Sequence, residues 1–271
     1  MTTTTNADHS DRKRLDQEVA SLPDTRWRRL RGYNLGMGSL HLLQGVLILL
    51  LANDFSLPVT GAFLTGPPGV SEQSFTQLFD VRVAWAVALF FFMSAAAHFA
   101  VSLPGVFGWY RGNLMYDRNY ARWIEYSFSS SVMVILIAML SGVSDIAALV
   151  AIAGVNAAMI LFGWVMEKYE SPGRPSWLAY WFGVIAGAFP WIAIAIYLIS
   201  PGSDISPPGF VVWIFVSLFI FFNAFAVNMV LQYRRTGPWK SYLFGESAYI
   251  FLSLTAKSLL AWQIFAGTLI S

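Results

Sequence analysis

A lysine, a glutamate and two histidines stand inside stretches of this sequence that are otherwise apolar, and each can bind or release a proton. Lys257 lies in the run Tyr249-Ile-Phe-Leu-Ser-Leu-Thr-Ala-Lys-Ser-Leu-Leu-Ala-Trp262. As a helix rising about 1.5 Å per residue, that segment puts Lys257 about 22 Å from the end marked by Tyr242. A lysine near mid-bilayer costs about 2.5–3.5 kcal/mol even on the mildest insertion scale, so its amine needs a partner or a use. Three chemistries are open: an ion pair that locks helices together, an ammonium that binds a substrate, and an amine that forms a Schiff base with a carbonyl cofactor.

Glu125, in Arg122-Trp-Ile-Glu-Tyr-Ser-Phe-Ser-Ser-Ser131, is the natural partner, about 9 Å inside the basic boundary of its segment. Asp80, Asp145, Glu167 and Glu246 fall near segment ends and read as solvated interfacial charges. Ser129 and Ser253 share the faces of Glu125 and Lys257, either as backbone-bonded packing residues or as members of a proton network. His41 and His98 lie about 12 Å and 8 Å from the same boundary, in one layer with Glu125. Ser94, His98 and Ser102 form a polar stripe, and Gln44 follows His41 by one turn. Two histidines beside a carboxylate predict a wet polar cavity that can hold a proton. Lys257 fits this layer less well, since its backbone stands about 10 Å farther out and a lysine arm reaches about 6 Å.

The elements that must position these residues are membrane helices. Of the 271 residues, 56% are hydrophobic and 12% charged, against about 25% charged in soluble domains, which excludes an ordinary soluble enzyme. Seven apolar segments follow a polar start, at Tyr33–Asn53, Phe79–Leu103, Asn119–Leu140, Ser144–Lys168, Trp177–Ile199, Phe210–Gln232 and Tyr242–Ile270. Each is long enough to cross about 30 Å of hydrocarbon. The fold expected is an all-α seven-helix membrane bundle, with a polar tail over residues 1–32 and a transmembrane domain over 33–271. The absence of cysteine removes thiolate chemistry and disulfides, and three histidines, with His9 in the tail, argue against a metal centre. The tail has no apolar core of the kind a cleavable signal peptide needs.

Fifteen of the 17 Lys and Arg residues fall in the tail or in the second, fourth and sixth connections, leaving only Arg82 and Lys257. Such sorting is a topology signal rather than a nucleic-acid footprint, and it makes the N-terminus cytoplasmic and the C-terminus extracellular. The first connection alternates at Phe55, Leu57 and Val59 and then turns through Gly66 and Pro67-Pro68-Gly69. It predicts a short extracellular β-hairpin that caps the bundle or contacts a second copy of the chain.

Seven helices, a lysine deep in the last and a glutamate three residues after an arginine in the third resemble the retinal-binding microbial rhodopsins. Local runs sharpen the likeness: His41-Leu-Leu-Gln44, Leu57-Pro-Val-Thr-Gly61, Arg122-Trp-Ile-Glu-Tyr-Ser127, Ser129-Ser-Ser-Val-Met133, Gly154-Val-Asn-Ala157, Phe162-Gly-Trp164, Ala186-Gly-Ala-Phe-Pro-Trp191 and Ala256-Lys-Ser258. By these the chain resembles the heliorhodopsins from about Asn34 to Ile270. The family is inserted with its N-terminus inside, the orientation that the basic residues already require.

The resemblance implies all-trans retinal held covalently on Lys257 as a protonated Schiff base, with Glu125 as counterion and Ser253 where pumping rhodopsins carry a second aspartate. It places His41 and His98 in the cavity beside the Schiff base, and Met159, Ile160, Gly163, Trp181, Pro190 and Phe222 along the retinal. Phe222 stands where pumps usually have tryptophan, and Met229 replaces a polar residue of some members. The function it implies is a homodimeric, non-enzymatic light sensor that shifts a proton internally without net transport and signals to a partner on the cytoplasmic side. A light-driven proton or ion transporter is the alternative on the same scaffold. A retinal-free solute transporter gated by Lys257 and Glu125 is the alternative from another class.

Overall fold

The computed structural model describes residues 24–70, 73–199 and 206–270. The expectations for the N-terminal tail before residue 24, including His9, Arg12, Lys13 and Arg14, lie outside the described residues. Helix α1 runs Asp24–Leu51 and starts nine residues before the apolar segment at Tyr33. Its first turns are amphipathic: Trp27 and Leu30 are buried while Arg26, Arg28 and Arg29 are exposed. Hydropathy alone misses such a start, and the helix crosses the expected boundary at residue 32.

Strands β1 (Ser56–Leu64) and β2 (Gln73–Arg82) form the antiparallel hairpin, with a bulge between Val59 and Thr60. Phe79 therefore pairs with Val59 instead of opening the second helix. The Thr60 amide donates to the Ser144 carbonyl at 2.8 Å and their hydroxyls lie 2.9 Å apart, which seats the hairpin on the turn between the third and fourth spanning helices.

Helix α2 (Val83–Ser102) is followed by α3 (Pro104–Met115), a short helix absent from the hydropathy reading. Pro104 stands in its first turn, where a missing N–H costs nothing. Tyr110 and Leu114, one turn apart, are its buried face and pack with Trp27 and Leu30 of α1. Helix α4 (Tyr120–Leu140) is capped by Asn119, and α5 (Ile146–Tyr169) by Asp145, each accepting from a backbone N–H three residues on at 3.0 Å. Then come α6 (Leu178–Ile199), α7 (Gly209–Tyr233) and α8 (Tyr242–Ile264), the last continuing into a π turn over Phe265–Leu269.

All except α3 are long and apolar enough to span a membrane, giving seven spans among the described residues. Neighbouring helices pack in the order α1, α2, α4, α5, α6, and α8 joins α7 back to α1. Toward the hairpin the core is apolar, with Phe90, Phe91, Leu136, Ile194, Leu218 and Leu260 buried together. Toward the other end it is aromatic and polar, around Trp123, Tyr126, Met166 and Tyr249. The chemistry is confined to that half.

Candidate functional site

The α4 and α8 backbones bring the two charges within reach: Lys257 Nζ lies 3.4 Å from Glu125 Oε1. Lys257 is buried and Glu125 largely so, and the depth mismatch expected from residue counts is closed. Lys257 also donates to Ser253 Oγ at 2.9 Å, one turn earlier on α8, and lies 5.3 Å from the Tyr126 ring centroid. Ser94 of α2 donates to Glu125 Oε1 at 2.6 Å. Ser129 is fully buried, and its hydroxyl has no hydrogen-bond partner among the described residues.

His41 and His98 stack with ring centroids 5.6 Å apart. Neither nitrogen of fully buried His41 has a protein partner among the described residues. Such unmet polar atoms mark room for water or an exchangeable proton. His98 Nδ1 is 2.8 Å from Asn34 Oδ1, while Asn34 Nδ2 donates to the Leu30 carbonyl at 3.1 Å. Since the amide nitrogen is committed to a carbonyl, Asn34 offers an acceptor to His98, so Nδ1 carries the hydrogen and Nε2 is left as base. Asn34 escaped sequence reasoning because it stands at the very start of an apolar segment. Gln44 lies apart from this group and accepts from Trp262 Nε1 at 3.0 Å.

A cavity of about 280 Å³ leads away from Lys257 between α4, α5, α6 and α7. Met159, Ile160, Gly163 and Phe222 line it together with Trp123, Tyr126, Met133 and Trp191, and Met229 adds an apolar wall. A Cβ at Gly163 would strike the Trp123 ring, so glycine lets that indole lie flat against α5. Trp181 and Pro190 depart from the expected lining. Trp181 is 58% exposed, and Pro190, though buried, does not reach the cavity. Each sits one residue from a lining aromatic, Tyr180 or Trp191, and one residue on a helix turns the side chain by about 100°.

Beneath the cavity lies a second charged group that the sequence reading placed in solvent. Glu167 and Glu246 are buried, and both pair with buried Arg122. Glu167 also accepts from Tyr242 (2.9 Å), the Asn119 amide (2.9 Å) and Trp123 Nε1 (2.6 Å), and Glu246 from Asn119 Nδ2 (2.5 Å). Arg122 thus belongs to the core, not to the solvated basic surface. Its guanidinium lies 4.0 Å from the Tyr249 ring centroid and 4.6 Å from that of Trp123, both of which line the cavity. Asp80 and Asp145 do stand at surface ends, Asp80 exposed and Asp145 capping α5.

At the edge of this group, outside the spans, burial pushes the Asp117 carboxyl up to about 6, with Arg235 opposing and Glu167 reinforcing the shift. A raised acid favours folding most when protonated, so its contribution is full below its ordinary value of 3.8 and is lost as pH rises through about 6. Asp117 also has a left-handed φ of 54°, which asparagine tolerates well. Asp117→Asn is therefore expected to raise the melting temperature by roughly 2–4 °C at pH 8 and to leave it unchanged at pH 4. Thermal scans at the two pH values check this; an equal shift at both would show that Asp117 is not the titrating group.

The heliorhodopsin family profile matches residues 30–269, nearly the whole chain. The chain belongs to the heliorhodopsin family. No relative among curated proteins matches it. Solved structures that share its fold include two rhodopsins. A light-driven proton pump from Leptosphaeria maculans superposes with a TM-score of 0.61 at 15% identity, over 91% of this chain and 97% of that one. The transmembrane domain of the Salpingoeca rosetta rhodopsin phosphodiesterase gives 0.58 at 10% identity, over 94% and 93%. Heliorhodopsin membership and the rhodopsin fold imply a retinal chromophore. The apolar cavity, lined by one buried amine that pairs with a carboxylate behind it, fits that group by its own donor set.

Proposed function

We propose that this heliorhodopsin is a light sensor in which Lys257 holds all-trans retinal covalently, Glu125 is the counterion, and a proton moves internally without net transport. The observation that carries the reading is the 3.4 Å pairing of Glu125 with Lys257, whose side chain lines an apolar cavity. Retinal bound there as a Schiff base would supply light absorption and photoisomerisation. The protein's part is electrostatic. Glu125 keeps the positive charge on the Lys257 nitrogen, Ser94 fixes the carboxylate, and Ser253 accepts from the nitrogen without adding a second negative charge. The basic Nε2 of His98 and the nitrogens of His41, unpartnered among the described residues, give a displaced proton somewhere to go.

The alternative of a light-driven transporter is weaker, because transport needs a continuous path. Eleven residues beyond Glu125, where a pump of the familiar type places a carboxylic donor, stands fully buried Leu136 in an apolar core. The arginine and lysine distribution supports a cytoplasmic N-terminus and extracellular C-terminus. The exposed Phe63, Phe75 and Phe79 of the hairpin support its use as a contact between two copies. We assign the protein no enzymatic activity and place its signalling partner on the cytoplasmic side.

The deciding experiment is a flash-absorbance record taken with a pH or current trace in the same oriented vesicles. A photocycle without sustained, ionophore-sensitive pH change or current is expected; a steady current abolished by Lys257→Ala would replace the sensor with the transporter. Glu125→Gln is expected to shift the visible band and to weaken the hold of the Lys257 linkage on its proton, because the anion stabilising the positive charge is gone. A spectrum and titration identical to those of the unaltered protein would assign the counterion elsewhere.

A further inference from the structure

The buried group around Arg122 holds two carboxylates against one guanidinium, and the two are not equivalent. Glu167 receives donors on both oxygens from Arg122, Tyr242, Asn119 and Trp123, which saturates an ionised carboxylate. Glu246 receives Arg122 and the Asn119 side chain, and its remaining partner is the Tyr110 hydroxyl, which can donate or accept. An arginine with one ionised glutamate is already neutral, and a second buried negative charge would stand uncompensated. Tyr110 is in turn within hydrogen-bonding reach of Asn34, whose Oδ1 holds His98 Nδ1. A chain of side chains therefore runs from the histidine pocket beside Lys257, through Asn34 and Tyr110, to Glu246.

We propose that Glu246 is a protonated carboxylic acid in the dark state and that Asn34 and Tyr110 make it sense the charge of the His41–His98 pocket. The groups facing Glu246 are Arg122 of α4, Glu167 of α5, Tyr110 of α3 and, from farther off, Tyr126, Tyr242 and Tyr249. Among these, only Tyr110 links it to the histidines. When His98 Nε2 takes a proton, its Nδ1–H becomes a stronger donor to Asn34 Oδ1 and polarises that amide, whose N–H then donates more strongly to the Tyr110 oxygen. The Tyr110 hydroxyl in turn donates more strongly to Glu246, which favours the carboxylate. No proton passes through Asn34; what passes is hydrogen-bond polarisation. The first part stands on the acid pair alone, and the coupling rests on the light-sensor reading. Tyr110 belongs to α3, so the change would be delivered to the short helix at the basic end of the bundle.

Infrared spectroscopy tests both parts. In the retinal-free protein at neutral pH, a protonated-carboxyl C=O band is expected that disappears in Glu246→Gln. It should also disappear in Glu167→Gln, where Arg122 is left with Glu246 alone. A carboxyl region unchanged by Glu246→Gln overturns the protonation, whether or not a pigment forms. In the pigment, illumination should shift or deplete the same band, and Tyr110→Phe should reduce that response by at least half while the photocycle continues. A photocycle with a static Glu246 band, or a response untouched by Tyr110→Phe, overturns the coupling and leaves the sensor reading standing. A colourless protein defeats the sensor reading and the coupling together, while the band in the retinal-free protein still decides the protonation.

Discussion

Lys257→Ala is expected to give a protein that inserts and folds but has no visible absorbance after incubation with retinal. Among the described residues, the other lysines, Lys168 and Lys240, lie in the last turn of α5 and in the 3-10 turn before α8, far from the cavity wall. The effect on colour is all or none, since no second amine lines the cavity among the described residues. Folding should survive because the substitution exchanges a costly buried ammonium for a methyl group. It does leave Glu125 without its cation, but Ser94 still donates to that carboxylate, and a buried acid so placed can take up a proton. Absorbance spectra before and after extraction of free retinal, with size-exclusion profiles beside them, make the measurement. Visible absorbance that survives extraction in Lys257→Ala would remove the attachment site. A variant that fails to fold can be replaced by Lys257→Met, which keeps the side-chain volume.

The Lys257–Glu125 pair was legible in the sequence because each charge interrupts an apolar run long enough to span the bilayer. A cost of a few kcal/mol per charge makes such residues stand out against their surroundings. Their mutual distance was not legible. Counting residues fixes depth along a helix to within a turn, whereas side-chain reach and helix placement decide whether two groups meet. The same limit explains Trp181 and Pro190, where a one-residue step changes the face presented. Hydropathy failed in opposite directions at two kinds of element. It read Phe79–Arg82 as helix because an exposed apolar strand and a lipid-facing helix have the same composition. It passed over α3 because a half-buried interfacial helix is too short and polar to register. Glu167 and Glu246 were misplaced for a third reason. Nearness to a segment end was taken as solvent contact, but Asn119, Arg122 and Trp123 at the start of α4 meet Tyr242 of α8 there and seal the end. A sequence signal did exist: Arg122 lies in the same apolar run as Glu125, less than one turn away, and a charge at that depth also calls for partners.

Arg122→Met is expected to be the most destabilising single substitution on the polar side of the bundle. Arg122 is buried and bonds both Glu167 and Glu246, so its loss strands the Glu167 carboxylate, which Tyr242, Asn119 and Trp123 also hold as an ion. Breaking a buried ion pair from one side costs about 3–5 kcal/mol. At roughly 2–4 °C per kcal/mol for a chain of this size class, the melting temperature should fall by about 6–20 °C. The loss should be pH-dependent, largest at high pH, where the stranded acid is ionised, and smaller as acid neutralises it. Removing the charge instead of the fold identifies the cause: Arg122→Met combined with Glu167→Gln should recover most of the lost stability, because a neutral amide keeps the hydrogen bonds without the uncompensated charge. Thermal melts of the two single variants and the double variant make the cycle. If Arg122→Met melts within about 1 °C of the unaltered protein, or the double variant recovers nothing, then the cluster is not an ion pair that holds α4, α5 and α8 together, and the floor of the cavity is kept in place by its aromatic packing alone.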